Sequence, residues 1–206
     1  NMRKIRTAFV LALGLSAAQT LFAETIAEIQ GEWHTSPCNG KTVSGVEGVV
    51  TAVYGTKYNT GFYMQSVKAD KNPATSEGIW VECKDGGRFA VGDLVLVDGT
   101  AAEIQFGKPN PAELTVTSIL PESVKTVSRG NAVKPLTINA KKIPHKIHTG
   151  KTTDKLDITK NAMDFYESME GMLVKIEKPV ITGVAEKHGE IAVLAQNGAF
   201  AAERTN

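Results

Sequence analysis

Between Lys41 and Leu120 the chain is written as five runs rich in Val, Ile and Leu, parted by turn residues. This patterning constrains the fold more than any other feature. The first run, Thr42–Tyr54 (TVSGVEGVVTAVY), is long, β-branched and carries Gly45 and Gly48 inside it. A long strand with internal glycines reads as one that bends or bulges, as strands do when a small sheet curls on itself.

Gly61–Val67 (GFYMQSV) sets Phe62 and Met64 against Tyr63 and Gln65, and Gly78–Cys83 (GIWVEC) sets Ile79 and Val81 against Trp80 and Glu82. Strict alternation marks strands with one face buried. Asp93–Ile104 and Glu113–Leu120 read as the fourth and fifth strands, with Gly99 as a second bend. Turn clusters at Gly55–Thr60 and Lys84–Gly87 separate the strands, as do the polar loop Lys68–Glu77 and the Gly/Pro loop Gln105–Ala112. An all-β, five-stranded OB-like barrel over residues 24–125 fits this order. A β-sandwich, which ordinarily needs about seven strands, is the competing architecture.

Residues 1–23 precede this unit. Arg3, Lys4 and Arg6 are followed by an apolar run from Ala8 to Leu15 and small residues up to Ala23. Positive, greasy, then small is the order of a cleavable signal peptide, so a secreted or periplasmic location is expected. The apolar run is too short for a membrane anchor across ~30 Å. Cleavage would remove three bases and no acids, taking the net charge from +1 to −2. Export would also place Cys38 and Cys83 in an oxidising compartment, where a disulfide between them is expected.

After Val124 the alternation fades. Residues 126–160, including KPLTINAKKIPHKIHTGKTTDK, are Lys-rich and read as a connector. Residues 161–206 read as the start of a second β-rich unit. Two helical turns over 161–169 should stop at Gly171, followed by a strand from Met172 broken at Pro179 and another at Glu190–Leu194.

Catalytic signals are sparse. G-x-S-x-G, P-loop and Cys/His zinc spacings are absent. His145 and His148 lie three apart, a spacing that faces one ion only on a helix, and Pro144 and the lysines argue for solvated histidines. His34 falls in a loop and His188 in a turn. Asp70, Asn72 and Glu77 share a polar loop but lack a calcium-loop spacing. No metal ligand and no catalytic residue is assigned. An OB-like barrel offers the face of its second and third strands, so Tyr54, Lys57, Tyr58, Tyr63 and Trp80 are the candidate nucleic-acid contacts. Packing of these aromatics against the core remains the alternative.

The runs IAEIQGEWHTSP (26–37), KTVSGVEGVVTAVY, GFYMQS and NPATSEGIWV resemble the N-terminal region of large secreted bacterial nucleases of the endonuclease/exonuclease/phosphatase family. DFYESMEGMLVKI (164–176) and GEIAVLAQNGA (189–199) continue the likeness in the same order. The resemblance implies an OB-like leading region that engages DNA, and a following catalytic domain that hydrolyses phosphodiester bonds with Mg²⁺ or a similar ion. The catalytic G-D-x-N and S-D-H runs do not occur in these 206 residues, so no catalytic residue carries over. No cofactor is implied for this segment itself. The expected partners are DNA and the protein's own downstream catalytic domain, with no membrane after signal removal. An exported module for oligosaccharide or a cell-envelope partner, or a structural spacer, is the alternative.

Overall fold

A computed structural model describes residues 24–55, 60–85, 88–184 and 191–199. The expected signal peptide, Lys57, Tyr58 and His188 lie outside the described residues. Five strands form a closed barrel, β1 (Thr42–Gly55), β2 (Thr60–Gln65), β3 (Gly78–Glu82), β4 (Leu94–Ile104) and β5 (Val116–Ser128), in the spatial order β1-β2-β3-β5-β4.

β1 is long because it serves two neighbours. Its first half pairs with β4 and its second half with β2, both antiparallel. The register slips between Val43 and Val46, where Gly45 takes φ 63°. Asp98 on β4 holds this bulge, accepting from Ser44 Oγ at 2.7 Å and Gly45 N at 2.8 Å. Gly48 leaves room for Met64, whose Sδ would lie 2.9 Å from a Cβ there. The parallel pairing of β3 with β5, Trp80 opposite Ser118 and Val81 opposite Ile119, closes the cylinder.

The alternating side chains converge as the pattern requires. Val46, Phe62, Met64, Ile79, Val81 and Ile119 fill the interior. A short helix, α1 (Ile26–Gln30), adds Ile26 and Ile29 to the same cluster. It begins with a capping box, Thr25 N donating to the Glu28 carboxylate at 2.8 Å and Glu28 N to Thr25 Oγ1 at 3.2 Å.

β5 is longer than its alternation suggested. It runs past Pro121, which sits opposite Gly99 at a register shift, where a missing N–H interrupts no regular ladder. The stretch 126–160 is a built segment rather than a solvated connector. It holds the end of β5, β6 (Leu136–Ile138) and a 3₁₀ turn at Ala140–Lys142, with Ala140 and Ile143 buried. α2 (Ala162–Glu167) follows, then β7 (Val174–Ile176), which pairs parallel with β6. β8 (Val180–Ile181) and β9 (Val193–Leu194) pair beyond Pro179.

This second segment lies against the barrel through polar and backbone contacts. Gln65 Oε1 accepts from Leu173 N at 2.8 Å, Ser76 Oγ donates to Glu170 O at 2.6 Å, and Leu156 N donates to Glu32 O at 2.9 Å. Within the first unit, Gln30 Nε2 of α1 donates to Gly78 O of β3 at 2.7 Å, next to these contacts. Sequence alternation could not report this docking, because its apolar residues are few and its bonds are long-range.

The two cysteines correct another expectation. Cys38 and Cys83 are free thiols, not a disulfide. Cys38 is fixed in a turn by the Ser36 hydroxyl, and Cys83 is held at the end of β3 by Thr60 O. Each packs separately on the core cluster.

Candidate functional site

Two groups of chemically capable side chains stand out. The first is aromatic. Residues of β2 and β3 that do not enter the core point outward, so Tyr63 and Trp80 are cross-strand neighbours, with ring centroids 4.9 Å apart. Trp80 lies across Gly61, where a Cβ would stand 2.7 Å from the indole Cζ2. Tyr54, near the end of β1, and Phe106, in the β4–β5 loop, set their rings against Trp80 at 6.5 and 5.3 Å, both near T-shaped.

The result differs from the expectation for Trp80. The indole is fully buried, so it cannot offer a face to a base. Burying a ring of 150–250 Å² is worth about 4–6 kcal/mol at ~25 cal/mol/Å², which outweighs the ~1–3 kcal/mol of an unmet polar group. That comparison matters because Trp80 Nε1 has no hydrogen-bond partner among the described residues. The accessible members are Tyr54, 53% exposed, and Phe106, 40% exposed. Tyr63 is half-buried, and burial, then Glu170 and Tyr54, push its hydroxyl above the usual tyrosine range. Phe106 and Lys108 in the β4–β5 loop escaped sequence reading because nothing but topology brings that loop to Trp80.

The second group is ionisable and lies where the second segment meets the barrel. His34 follows α1, Asp164 and Glu167 sit one turn apart on α2, and Glu103 ends β4. His34 is buried, with Nε2 2.9 Å from Asp164 Oδ1 and Nδ1 3.2 Å from Glu167 Oε2. The second contact lacks hydrogen-bond alignment, which leaves Nδ1 without a partner. His148 Nε2 approaches the same Asp164 oxygen at 3.6 Å, and the two imidazoles lie 5.8 Å apart. His148 is therefore not a solvated histidine; its side chain is 18% exposed.

Asp164 Oδ2 accepts from Asp157 N and Asn161 Nδ2, both at 2.8 Å. Burial pushes this carboxyl up, but these bonds and that from His34 prevail and hold it below the usual range. Glu167 is pushed up to about 7 by burial, then by Glu103 and Asp164. Glu170 is pushed up to about 8 by burial and by Glu167, although Thr117 N donates to it at 3.0 Å. His34, His148 and Asp164 could together hold a metal ion, their ligand atoms lying within 4.8 Å of one another. His34 also lines a cleft of about 340 Å³ with Trp33, Thr115 and Thr152.

Sequence reading missed this group because His34 and Asp164 are 130 positions apart. The visible signal was the spacing Asp164, Glu167, Glu170 along a helix-like run. The polar loop at Asp70–Glu77 resolves differently. Asp70 accepts from Asn72 N and Thr75 Oγ1, and Glu77 accepts from Asp70 N, so its oxygens stabilise the loop's own turns.

Residues 133–206 match a family model described as a domain of unknown function (DUF8508). A comparison with curated proteins finds no match. Among solved structures, the chain is similar to one described as a "putative aspartyl-tRNA synthetase" from Leishmania major Friedlin. The identity is 12% and the TM-score 0.37, over 72% of this chain and 28% of that one.

Proposed function

We propose that the chain is the leading, nucleic-acid-engaging region of an exported, metal-dependent enzyme that cleaves phosphodiester bonds. On this reading the barrel is OB-like, and catalysis resides in a domain outside these 206 residues. The strand order β1-β2-β3-β5-β4 supports the OB-like assignment. The observation that carries the functional reading is the position of the aromatic group. Tyr54, Tyr63, Trp80 and Phe106 gather on the outer β2–β3 face, Tyr54 from the end of β1 and Phe106 from the β4–β5 loop. OB-folds take oligonucleotides and oligosaccharides at that place. Tyr54 and Phe106 offer rings for stacking, and the buried Trp80 braces them from beneath.

The experiment is fluorescence anisotropy of a labelled single-stranded oligonucleotide with the full chain, across a salt series. Binding should weaken as salt rises. Tyr54→Ala and Phe106→Ala should each cost roughly 5- to 150-fold in affinity, at about 1–3 kcal/mol per stacked base. Salt-independent binding, or affinity unchanged in both variants, overturns the reading. Incubated with plasmid and Mg²⁺, the chain should cut nothing.

The net charge of −2 after signal cleavage favours a second reading, an uncharged oligosaccharide on the same rings. Binding of a neutral hexasaccharide that is lost in Phe106→Ala, with no oligonucleotide binding, would select it.

A further inference from the structure

We propose that His34, His148 and Asp164 form a zinc-class metal site that fastens the second segment to the barrel. A neutral imidazole has one N–H and one lone pair. Nε2 faces Asp164 Oδ1 at 2.9 Å, and Nδ1 faces Glu167 Oε2 at 3.2 Å. Both neighbours are carboxylate oxygens, so a neutral ring turns its lone pair toward one of them. Nδ1 is the atom left without a hydrogen bond, on a side chain only 3% exposed. His148 adds a second imidazole aimed at the Asp164 oxygen. Among the described residues, no Lys or Arg forms an ion pair with Asp164 or Glu167. A cation is the missing element.

A divalent ion between His34 Nε2, His148 Nε2 and Asp164 Oδ1 resolves each of these features. The Nε2 atoms become ligands through their lone pairs. The His34 proton then resides on Nδ1, 3.2 Å from Glu167 Oε2, where a small rotation of the carboxylate lets it donate. A ligating histidine whose other nitrogen donates to a carboxylate is the usual outer support of such a site. Asp164 is prepared in the same way, since Asp157 N and Asn161 Nδ2 hold Oδ2 and leave Oδ1 for the ion.

The spacing also fits. Bonds of 2.0–2.1 Å in a tetrahedron place ligand atoms about 3.3 Å apart. The separations of 2.9 and 3.6 Å from Asp164 Oδ1 bracket that edge, and with all ligand atoms within 4.8 Å of one another a small inward shift of the imidazoles completes the site. Two imidazoles and one carboxylate suit zinc and its transition-metal neighbours rather than Mg²⁺ or Ca²⁺, which prefer all-oxygen sets. His34 lines the adjacent cleft, from which a water can fill the fourth position. His34 precedes β1, whereas His148 and Asp164 belong to the second segment, so the ion ties the two together.

The test uses the full chain, stripped with chelator and titrated with Zn²⁺ by calorimetry, with Co²⁺ absorption as a second readout. We expect one ion per chain, the visible bands of a four-coordinate Co²⁺ site, and a raised Tm with Zn²⁺ but not with Mg²⁺. His148→Gln changes a partly exposed side chain and should keep the far-ultraviolet β spectrum while weakening Zn²⁺ by more than about 100-fold. Glu167→Gln, which leaves the three ligand atoms in place and alters the support of His34, should weaken it by about 10- to 100-fold. The double variant Cys38→Ser/Cys83→Ser should bind as the parent does. Stoichiometric binding that survives in His148→Gln, that disappears with the cysteines, or that does not occur in the folded parent overturns the proposal.

Discussion

Gly78 and Gly171 meet backbone to backbone. A Cβ on Gly78 would lie 2.3 Å from the carbonyl carbon of Gly171 and 2.4 Å from Met172 N. Gly171 itself turns through φ 69° to make the approach. The barrel and the second segment therefore touch at a point where no side chain intervenes.

Gly78→Ala should force that contact apart. The clash is with main chain, so no rotamer relieves it, and a loss of about 1–3 kcal/mol is expected. Urea unfolding measures the loss. Limited proteolysis should show faster cleavage near residues 129–135 as the second segment lifts; an unchanged midpoint would refute the account.

Trp80→Ala should cost about 3–5 kcal/mol, the usual range for emptying a buried aromatic site. Trp80→Phe should cost much less, because it keeps part of the ring contact with Tyr63 and removes an N–H that has no partner among the described residues. Chemical denaturation of both variants checks the ranking; equal losses would show that the indole N–H is satisfied.

Glu170 makes stability depend on pH in a definite direction. Its carboxyl rises from 4.5 to about 8 on folding, through burial first and then Glu167, with Thr117 N and Gln30 opposing. Between those values the folded protein holds a proton that the unfolded chain releases. Stability contributed here is present below about 4.5 and declines as pH climbs to about 8. Glu170→Gln mimics the protonated form, so its urea midpoint should match the parent near pH 5 and exceed it at pH 8. A parent that gains on the variant as pH rises contradicts this sign.

Thiol titration tests the cysteines. Purified without reductant and unfolded in guanidinium, the chain should react with two equivalents of Ellman's reagent, from Cys38 and Cys83. In the native state Cys38 should react slowly, since burial raises its thiol pKa despite Lys41. Zero equivalents would establish the bridge.

The barrel was legible where its chemistry is local. Phe62 and Met64 against Tyr63 and Gln65 announce β2, and Gly45 and Gly99 mark places where β1 and β4 change register. The helix was visible for the same reason, although it ends at Glu167, with Ser168 as its C-cap, before the turn at Gly171. What escaped depends on residues that meet only in three dimensions. Thr25 and Glu28 spell a capping box for a helix too short for periodicity to reveal. His148 looks solvated among lysines until Asp164 and His34 are beside it. Trp80 looks like a stacking platform until Phe106, 26 positions on, covers it.

The closing of the cylinder by β5 has a cost for incomplete chains. β3 and β4 both spend their inward sides on a wall that β5 supplies last. A polypeptide cut before Val116 would keep their aliphatic faces yet leave the short edge of β3 and the long edge of β4 with unsatisfied main-chain donors and acceptors. Such rims recruit one another between molecules. Truncations there are expected to aggregate, not to yield a smaller soluble half.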